Sequence, residues 1–290
     1  MHKMMFSGLG TALLTPFCEN GDIDYDALSR IIECQIAGGA DFLCILATTA
    51  ETPTLTLREK AELRSFITRQ VRGRLPIVAG CGGNSTRAVC EELSATDWKD
   101  IDAILSVVPY YNKPSQEGLF QHFTTIGKAS PLPVMLYNVP SRTGVNMTAD
   151  TTLRIARECE NVIAIKEASG DMEQIRRIIE QCPEHFKVFS GDDALALDIM
   201  RMGGEGVISV IANGMIREFA KMIHLAQEGQ FEDATSINSR FAPLYPLMFC
   251  DGNPAGIKAL MSQKGMLGNT LRLPLVTATQ QTQQKIQELI

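Results

Sequence analysis

Asn161-Val162-Ile163-Ala164-Ile165-Lys166-Glu167-Ala168-Ser169-Gly170-Asp171 is a short apolar run that ends abruptly in a lysine and passes into a loop of small residues. Its length suits a buried parallel strand. Alternation along a strand puts Val162, Ala164 and Lys166 on one face and Ile163 with Ile165 on the other. The smaller residues suit a crowded barrel axis and the larger ones a helix layer. Lys166 then points inward at the strand's carboxyl end, which in a (β/α)8 barrel is the chemical end.

Seven more β-rich runs accompany it: 8–14, 42–46, 76–79, 103–107, 133–137, 187–190 and 207–210. Helical periodicity fills the gaps. Between Asp24 and Ala37 the residues Leu28, Ile31, Ile32 and Ile36 share a face. From Thr56 to Val71, Thr56 and Glu59 have capping-box spacing. The segments 150–159 and 171–181 open with an acidic cap candidate, Asp150 and Asp171. Strands alternating with helices predict parallel pairing. Closure into a (β/α)8 TIM barrel is the economical arrangement, since roughly 250 residues is typical for it. A doubly wound sheet is the alternative, but no G-x-G-x-x-G follows the first strand. Helical patterning runs on over 217–228, 231–248 and 254–264, then through Leu271-Arg272-Leu273-Pro274-Leu275 to a polar last helix. A barrel needs only one helix after its last strand. The expectation is therefore a catalytic barrel over 1–224 and a C-terminal helical appendage over 225–290.

The 290 residues carry a net charge of -6 and no run of Lys and Arg, which favours neither nucleic acid nor a membrane surface. Met1 to Met5 is too short and polar to open a signal peptide, and no apolar stretch is long enough to span a bilayer. Eight scattered cysteines without a C-x-x-C pair read as reduced, mostly buried thiols of a cytoplasmic protein. A catalytic cysteine is a weaker reading, because the four histidines fall in helical or terminal segments. No H-E-x-x-H or other ligand spacing points to a metal, and no cofactor is called for.

Lys166 is the leading nucleophile. A lysine at a strand end is usually a surface residue, but this one is predicted to face inward. Desolvation lowers an ammonium pKa from about 10.4 and supplies a neutral amine for attack on a carbonyl. Lys187 opens a strand and Lys113 lies in a loop, so no other lysine closes an apolar strand this way. Tyr137 ends the preceding strand and should meet Lys166 at the barrel mouth, either as a proton carrier or as a core tyrosine. Ala47-Thr48-Thr49-Ala50-Glu51 follows strand two. Its hydroxyls and backbone N–H groups suit a carboxylate, or simply cap a loop. Gly80-Cys81-Gly82-Gly83 reads as a barrel turn rather than a phosphate loop. Gly203-Gly204-Glu205-Gly206 precedes strand eight, on the face of the barrel that serves stability.

Several long motifs in order resemble the dihydrodipicolinate synthase/N-acetylneuraminate lyase family of Schiff-base aldolases. They are 109–118 (PYYNKPSQEG), 137–144 (YNVPSRTG), 165–171 (IKEASGD) and 190–193 (SGDD), with Asn253-Pro254 and 271–275 toward the C-terminus. The resemblance covers the whole chain. It implies a homotetramer built as a dimer of dimers, and a Schiff base between Lys166 and pyruvate. Tyr137, Thr48 and Tyr111 would form a proton relay, Tyr111 reaching in from the neighbouring subunit. Thr48 and Thr49 would hold the pyruvate carboxylate, and Gly191 and Ile208 would line the pocket through their carbonyls. Ser141-Arg142-Thr143-Gly144 matches the synthase branch, in which an arginine binds the carboxylate of aspartate semialdehyde. A guanidinium fork suits that task. The implied reaction joins pyruvate and L-aspartate 4-semialdehyde to give 4-hydroxy-tetrahydrodipicolinate. A pyruvate lyase acting on sugar acids, and a silent keto-acid sensor, are the competing expectations; Arg142 opposes the first and the complete constellation the second.

Two departures stand out. The family reads Gly-Thr-Thr-Gly-Glu where this chain has alanines at 47 and 50. A positive φ at either would cost an alanine roughly 1 kcal/mol or more. Lysine-inhibited relatives carry basic or histidine side chains just after the threonine loop and a glutamate four residues beyond the asparagine matching Asn84. Here those positions are Leu57, Lys60 and Ala88, with only Asn84 and Tyr110 intact. Weak or absent inhibition by lysine is the expectation.

Overall fold

The computed structural model describes residues 6–290; the terminal Met1 to Met5 segment lies outside the described residues. Eight strands form it: β1 Gly8–Ala12, β2 Phe42–Ile45, β3 Ile77–Gly80, β4 Ala103–Val107, β5 Val134–Asn138, β6 Val162–Glu167, β7 Lys187–Ser190 and β8 Gly206–Ser209. They close into a parallel barrel in sequence order, and each expected run matches an observed strand within one residue at either end except the first, which stops two residues short, at Ala12.

The chain groups into two compact units. One is Ile77–Ile208 with the residues up to Gly8; the other is Leu9–Pro76 with Ser209–Ile290. In the first unit the register sets what meets at the strand ends. Tyr137 on β5 pairs with Lys166 on β6, and Asn138 with Glu167. Lys166 in turn pairs with Phe189 on β7 and Glu167 with Ser190. Gly206, the first residue of β8, serves packing. Its φ is +155°, and a Cβ there would lie 1.9 Å from the Gly8 carbonyl oxygen. At Gly82 a Cβ would lie 2.8 Å from the Val107 nitrogen, which fits a barrel turn.

Helix starts follow side-chain chemistry. Thr56 and Glu59 make the full capping box on helix Leu57–Val71, and Asp171 caps Met172–Gln181 through the Gln174 N–H. Asp150 is not a cap. Thr148 takes that place on helix Ala149–Glu158, and Asp150 lies in its first turn, where its charge favours the helix dipole. The expected helix over 231–248 ends at Phe241, and Tyr245–Met248 forms a separate 3-10 turn. Pro243 and Pro246 account for the break, since neither offers an N–H to continue the ladder.

The second unit holds the helices after β8: Ala212–Gln227, Phe231–Phe241, Ala255–Gln263 and Gln280–Gln287. Phe219 and Phe241 meet edge to face at 5.4 Å and are buried. Each buried ring contributes on the order of 2–3 kcal/mol by area. All eight cysteines are free, but only Cys44, Cys81 and Cys159 are buried. Cys18, Cys34 and Cys250 are exposed, so the expectation of mostly buried thiols does not hold.

Candidate active site

β6 delivers Lys166 as the alternation predicts. The side chain is 4 % exposed. Its Nζ lies 4.6 Å from the centre of the Tyr137 ring, and Tyr137 is itself buried. Gly191 closes over the same lysine. Its N–H donates to the Glu167 carbonyl at 2.7 Å, and a Cβ there would sit 3.2 Å from Lys166 Cε and 2.7 Å from the Ala168 methyl. Glycine is the residue that lets the backbone come this near the amine. Ile208 lies on β8 and is fully buried.

Behind Lys166 the next residue anchors the loop that carries Arg142. Glu167 is fully buried, and its carboxylate accepts from Asn138 Nδ2 (3.1 Å to each oxygen), the Ser169 N–H (2.8 Å) and Gln174 Nε2 (3.4 Å). Burial pushes this carboxyl above the usual range, and the hydrogen bonds from Asn138 and Ser169 pull the other way. Asn138 also donates to Asn146 Oδ1 at 2.8 Å and accepts from the Met147 N–H at 3.0 Å. The segment between Asn138 and Met147, with the short helix Pro140–Thr143, is thereby pinned at both ends. Arg142 is exposed on it.

Tyr111 behaves differently. It is 89 % exposed and adopts a left-handed backbone, φ 73°. The loop beneath it is braced: Asn112 Nδ2 donates to the Asn84 carbonyl at 2.8 Å, and Asn84 Nδ2 to the Tyr110 carbonyl at 3.2 Å. Tyr111 is thus a large aromatic side chain held out on a braced loop.

Thr48 and Thr49 belong to the second unit, in the 3-10 turn Thr48–Ala50 after β2. Ala47 has φ -101°, so alanine carries no backbone cost there. Neither it nor Ala50 is left-handed. The positive φ values fall on their neighbours, Leu46 at 53° and Glu51 at 54°. A non-glycine residue held there costs on the order of 1–2 kcal/mol. Contacts from far along the chain hold the corner. Glu51 is buried and accepts from Lys258 Nζ at 2.5 Å and from the Arg272 N–H at 3.0 Å. Asn253 Nδ2 donates to Thr49 Oγ1 at 3.0 Å. Burial pushes the Lys258 ammonium down to about 8, while the charge of Glu51 works to keep it protonated.

Asn138, Glu167, Asn253, Lys258 and Arg272 lack a role in the sequence reading. A signal existed for two of them. Glu167 extends an apolar strand by one charged residue, and Lys258 sits inside Gly256-Ile257-Lys258-Ala259-Leu260, where a lysine is out of place on a buried face. Among the described residues no group of three or more His, Cys, Asp and Glu side chains is arranged to hold a metal ion. No described helix is long and apolar enough to cross a membrane.

Comparison with known proteins identifies the family. A family model described as the dihydrodipicolinate synthetase family matches residues 5–290. The chain is 52 % identical, over 290 residues, to a 4-hydroxy-tetrahydrodipicolinate synthase of Parabacteroides distasonis, covering 100 % of this chain and 98 % of the relative. A crystal structure of dihydrodipicolinate synthase from Thermotoga maritima superposes with a TM-score of 0.96 at 36 % identity, over 99 % and 98 % of the two chains. The chloride-inhibited dihydrodipicolinate synthase of Acinetobacter baumannii, complexed with pyruvate, gives 0.94 at 35 % identity over 99 % and 98 %.

Proposed function

The chain belongs to the dihydrodipicolinate synthetase family, and we propose that Lys166 carries its chemistry by forming a Schiff base with pyruvate. The reaction is that of a 4-hydroxy-tetrahydrodipicolinate synthase. It is a lyase that joins pyruvate to L-aspartate 4-semialdehyde in lysine and diaminopimelate biosynthesis.

The observation that carries the assignment is the burial of Lys166 against Tyr137 and Gly191 at the end of β6. In the proposed sequence Nζ attacks the ketone carbon of pyruvate, and loss of water leaves an imine. Removal of a methyl proton gives an enamine, whose carbon attacks the aldehyde. The amino group of the semialdehyde then displaces Lys166 from the imine carbon and closes the ring. Water leaves once overall. Each proton movement needs a carrier within reach. Tyr137 is assigned that role beside the amine, Thr48 continues the relay, and Tyr111 of a neighbouring copy completes it. Thr48 and Thr49 take the pyruvate carboxylate, Gly191 and Ile208 line the pocket through backbone carbonyls, and Arg142 takes the carboxylate of the semialdehyde. The exposure of Tyr111 supports a shared site. We read the assembly as a homotetramer of two tight dimers in the cytoplasm, with residues 1–224 as the catalytic barrel and 225–290 as the helical domain.

The test is substrate choice. Pyruvate with aspartate semialdehyde should give the cyclic product at steady state, and sialic or ketodeoxy sugar acids should not be cleaved. Cleavage of a sugar acid with no condensation would reverse the assignment.

A further inference from the structure

The threonine turn is held by local bonds, Thr52 Oγ1 to the Ala47 carbonyl (2.8 Å) and the Glu51 N–H to the Thr48 carbonyl (3.0 Å), and by remote ones. Leu46 and Glu51 bracket it with left-handed backbones, and a strained corner persists only where its surroundings over-determine it. Around the Glu51 carboxylate those surroundings come from the C-terminal region. Lys258 is fully buried in helix Ala255–Gln263 and spends its ammonium on Glu51 (2.5 Å) and the Thr270 carbonyl (2.8 Å), 4.2 Å above the Phe17 ring. Arg272 adds its backbone N–H to Glu51 and its guanidinium to Glu59 (2.5 and 3.0 Å), the Gly21 carbonyl and the Thr54 carbonyl. Asn253 reaches the reactive part of the turn, donating Nδ2 to Thr49 Oγ1 at 3.0 Å. Asn253 and Thr49 are both buried, so this hydroxyl is shielded from bulk water.

A hydroxyl has one hydrogen to give and two lone pairs to fill. With Asn253 donating to one lone pair, the Thr49 hydrogen is directed elsewhere, which is what an acceptor-only carboxylate requires. We propose that Asn253 and Lys258 are positioning residues for the substrate carboxylate: Asn253 fixes the Thr49 hydroxyl as a donor, and Lys258 holds Glu51 at the corner that presents the turn. The inference rests on the assignment of Thr48 and Thr49 to pyruvate. It also gives the C-terminal region a part in substrate binding.

The test separates pyruvate KM from kcat and from the KM for aspartate semialdehyde. Asn253→Ala should raise the pyruvate KM about tenfold, the scale of one lost hydrogen bond. Its kcat should stay within about twofold and its semialdehyde KM should not move. In a Thr49→Val background the same substitution should add nothing, because the hydroxyl it acts through is gone. Asn253→Asp keeps the shape, loses the donor and brings a like charge, so its pyruvate KM should exceed that of the alanine variant. It is read in the same way if Asn253→Ala does not fold. For the corner, Lys258→Met is combined with Glu51→Leu, since removing one partner leaves a buried charge unpaired while removing both is often tolerated. This folded pair variant should also raise the pyruvate KM. Unchanged pyruvate KM in the Asn253 variants and the pair variant overturns the proposal, as does an additive effect of Asn253→Ala on Thr49→Val. Wild-type chain that forms no borohydride-trapped pyruvate adduct overturns the parent reading and this one with it; an adduct with unaltered KM values overturns this one alone.

Discussion

Tyr137 and Lys166 are register partners on adjacent strands, and the Lys166 amine lies 4.6 Å from the centre of the Tyr137 ring. The ring packs against the amine, the phenol is the proposed proton carrier, and Tyr137→Phe separates the two roles. That variant keeps the aromatic contact and should melt near the wild-type temperature. Its kcat should fall about a hundredfold or more. A steady-state assay showing wild-type kcat would leave Tyr137 a packing residue only.

Tyr111, exposed on its braced loop, predicts complementation between copies. Tyr111→Phe should lose much of its kcat, and Lys166→Ala should be inactive. When the two are mixed under conditions that exchange subunits, some sites combine an intact Lys166 with an intact Tyr111. Activity should then reappear above the sum of the two alone. No recovery, with exchange verified by mass, would place the whole relay within one copy.

His122 gives a pH dependence to folding that is separate from catalysis. It is buried, its Nδ1 bonds Thr86 Oγ1 at 2.8 Å, and its Nε2 has no hydrogen-bond partner among the described residues. Burial pushes its pKa down to about 4 from 6.5. Between those values the unfolded chain takes up a proton that the folded chain refuses, so stability falls as pH drops from 6.5 toward 4. The loss is at most about 3 kcal/mol. His122→Gln removes the titration, and its melting temperature should fall less than that of wild type between pH 7 and 4.5. Equal falls would assign the acid sensitivity to other groups.

Feedback by lysine should be weak or absent. Leu57 is 77 % exposed and Ala88 stands in the first turn of helix Thr86–Ala95, so neither offers the charge expected of an inhibited relative, and of the three positions only Lys60 carries a basic side chain. Turnover should be little changed by millimolar L-lysine. Full inhibition at sub-millimolar lysine would contradict this.

The parts that were legible in the sequence share a physical origin. Strand β6 could be read because alternation, a sudden lysine and a small-residue loop are all local. Tyr137, at the end of the preceding strand, and Gly191, within a family motif, fall beside it. Local pattern failed where two side chains competed for one task. Thr148 and Asp150 both suit a helix start, and only the backbone geometry decides for Thr148. It also failed where the partner is remote. Asn253 meets Thr49 and Lys258 meets Glu51 across more than two hundred residues, and no window of sequence contains both ends. The concern over the alanines at 47 and 50 was misplaced by one residue on each side, because the left-handed φ values belong to Leu46 and Glu51.

Lys166 is proposed to form the covalent bond to pyruvate. Borohydride reduces an imine to a stable amine, so protein treated with pyruvate and borohydride, then digested and mapped by mass, reports the attachment site directly. One pyruvate-derived adduct is expected, on Lys166, and none in Lys166→Ala. An adduct on any other lysine, or no adduct in active enzyme, would contradict it.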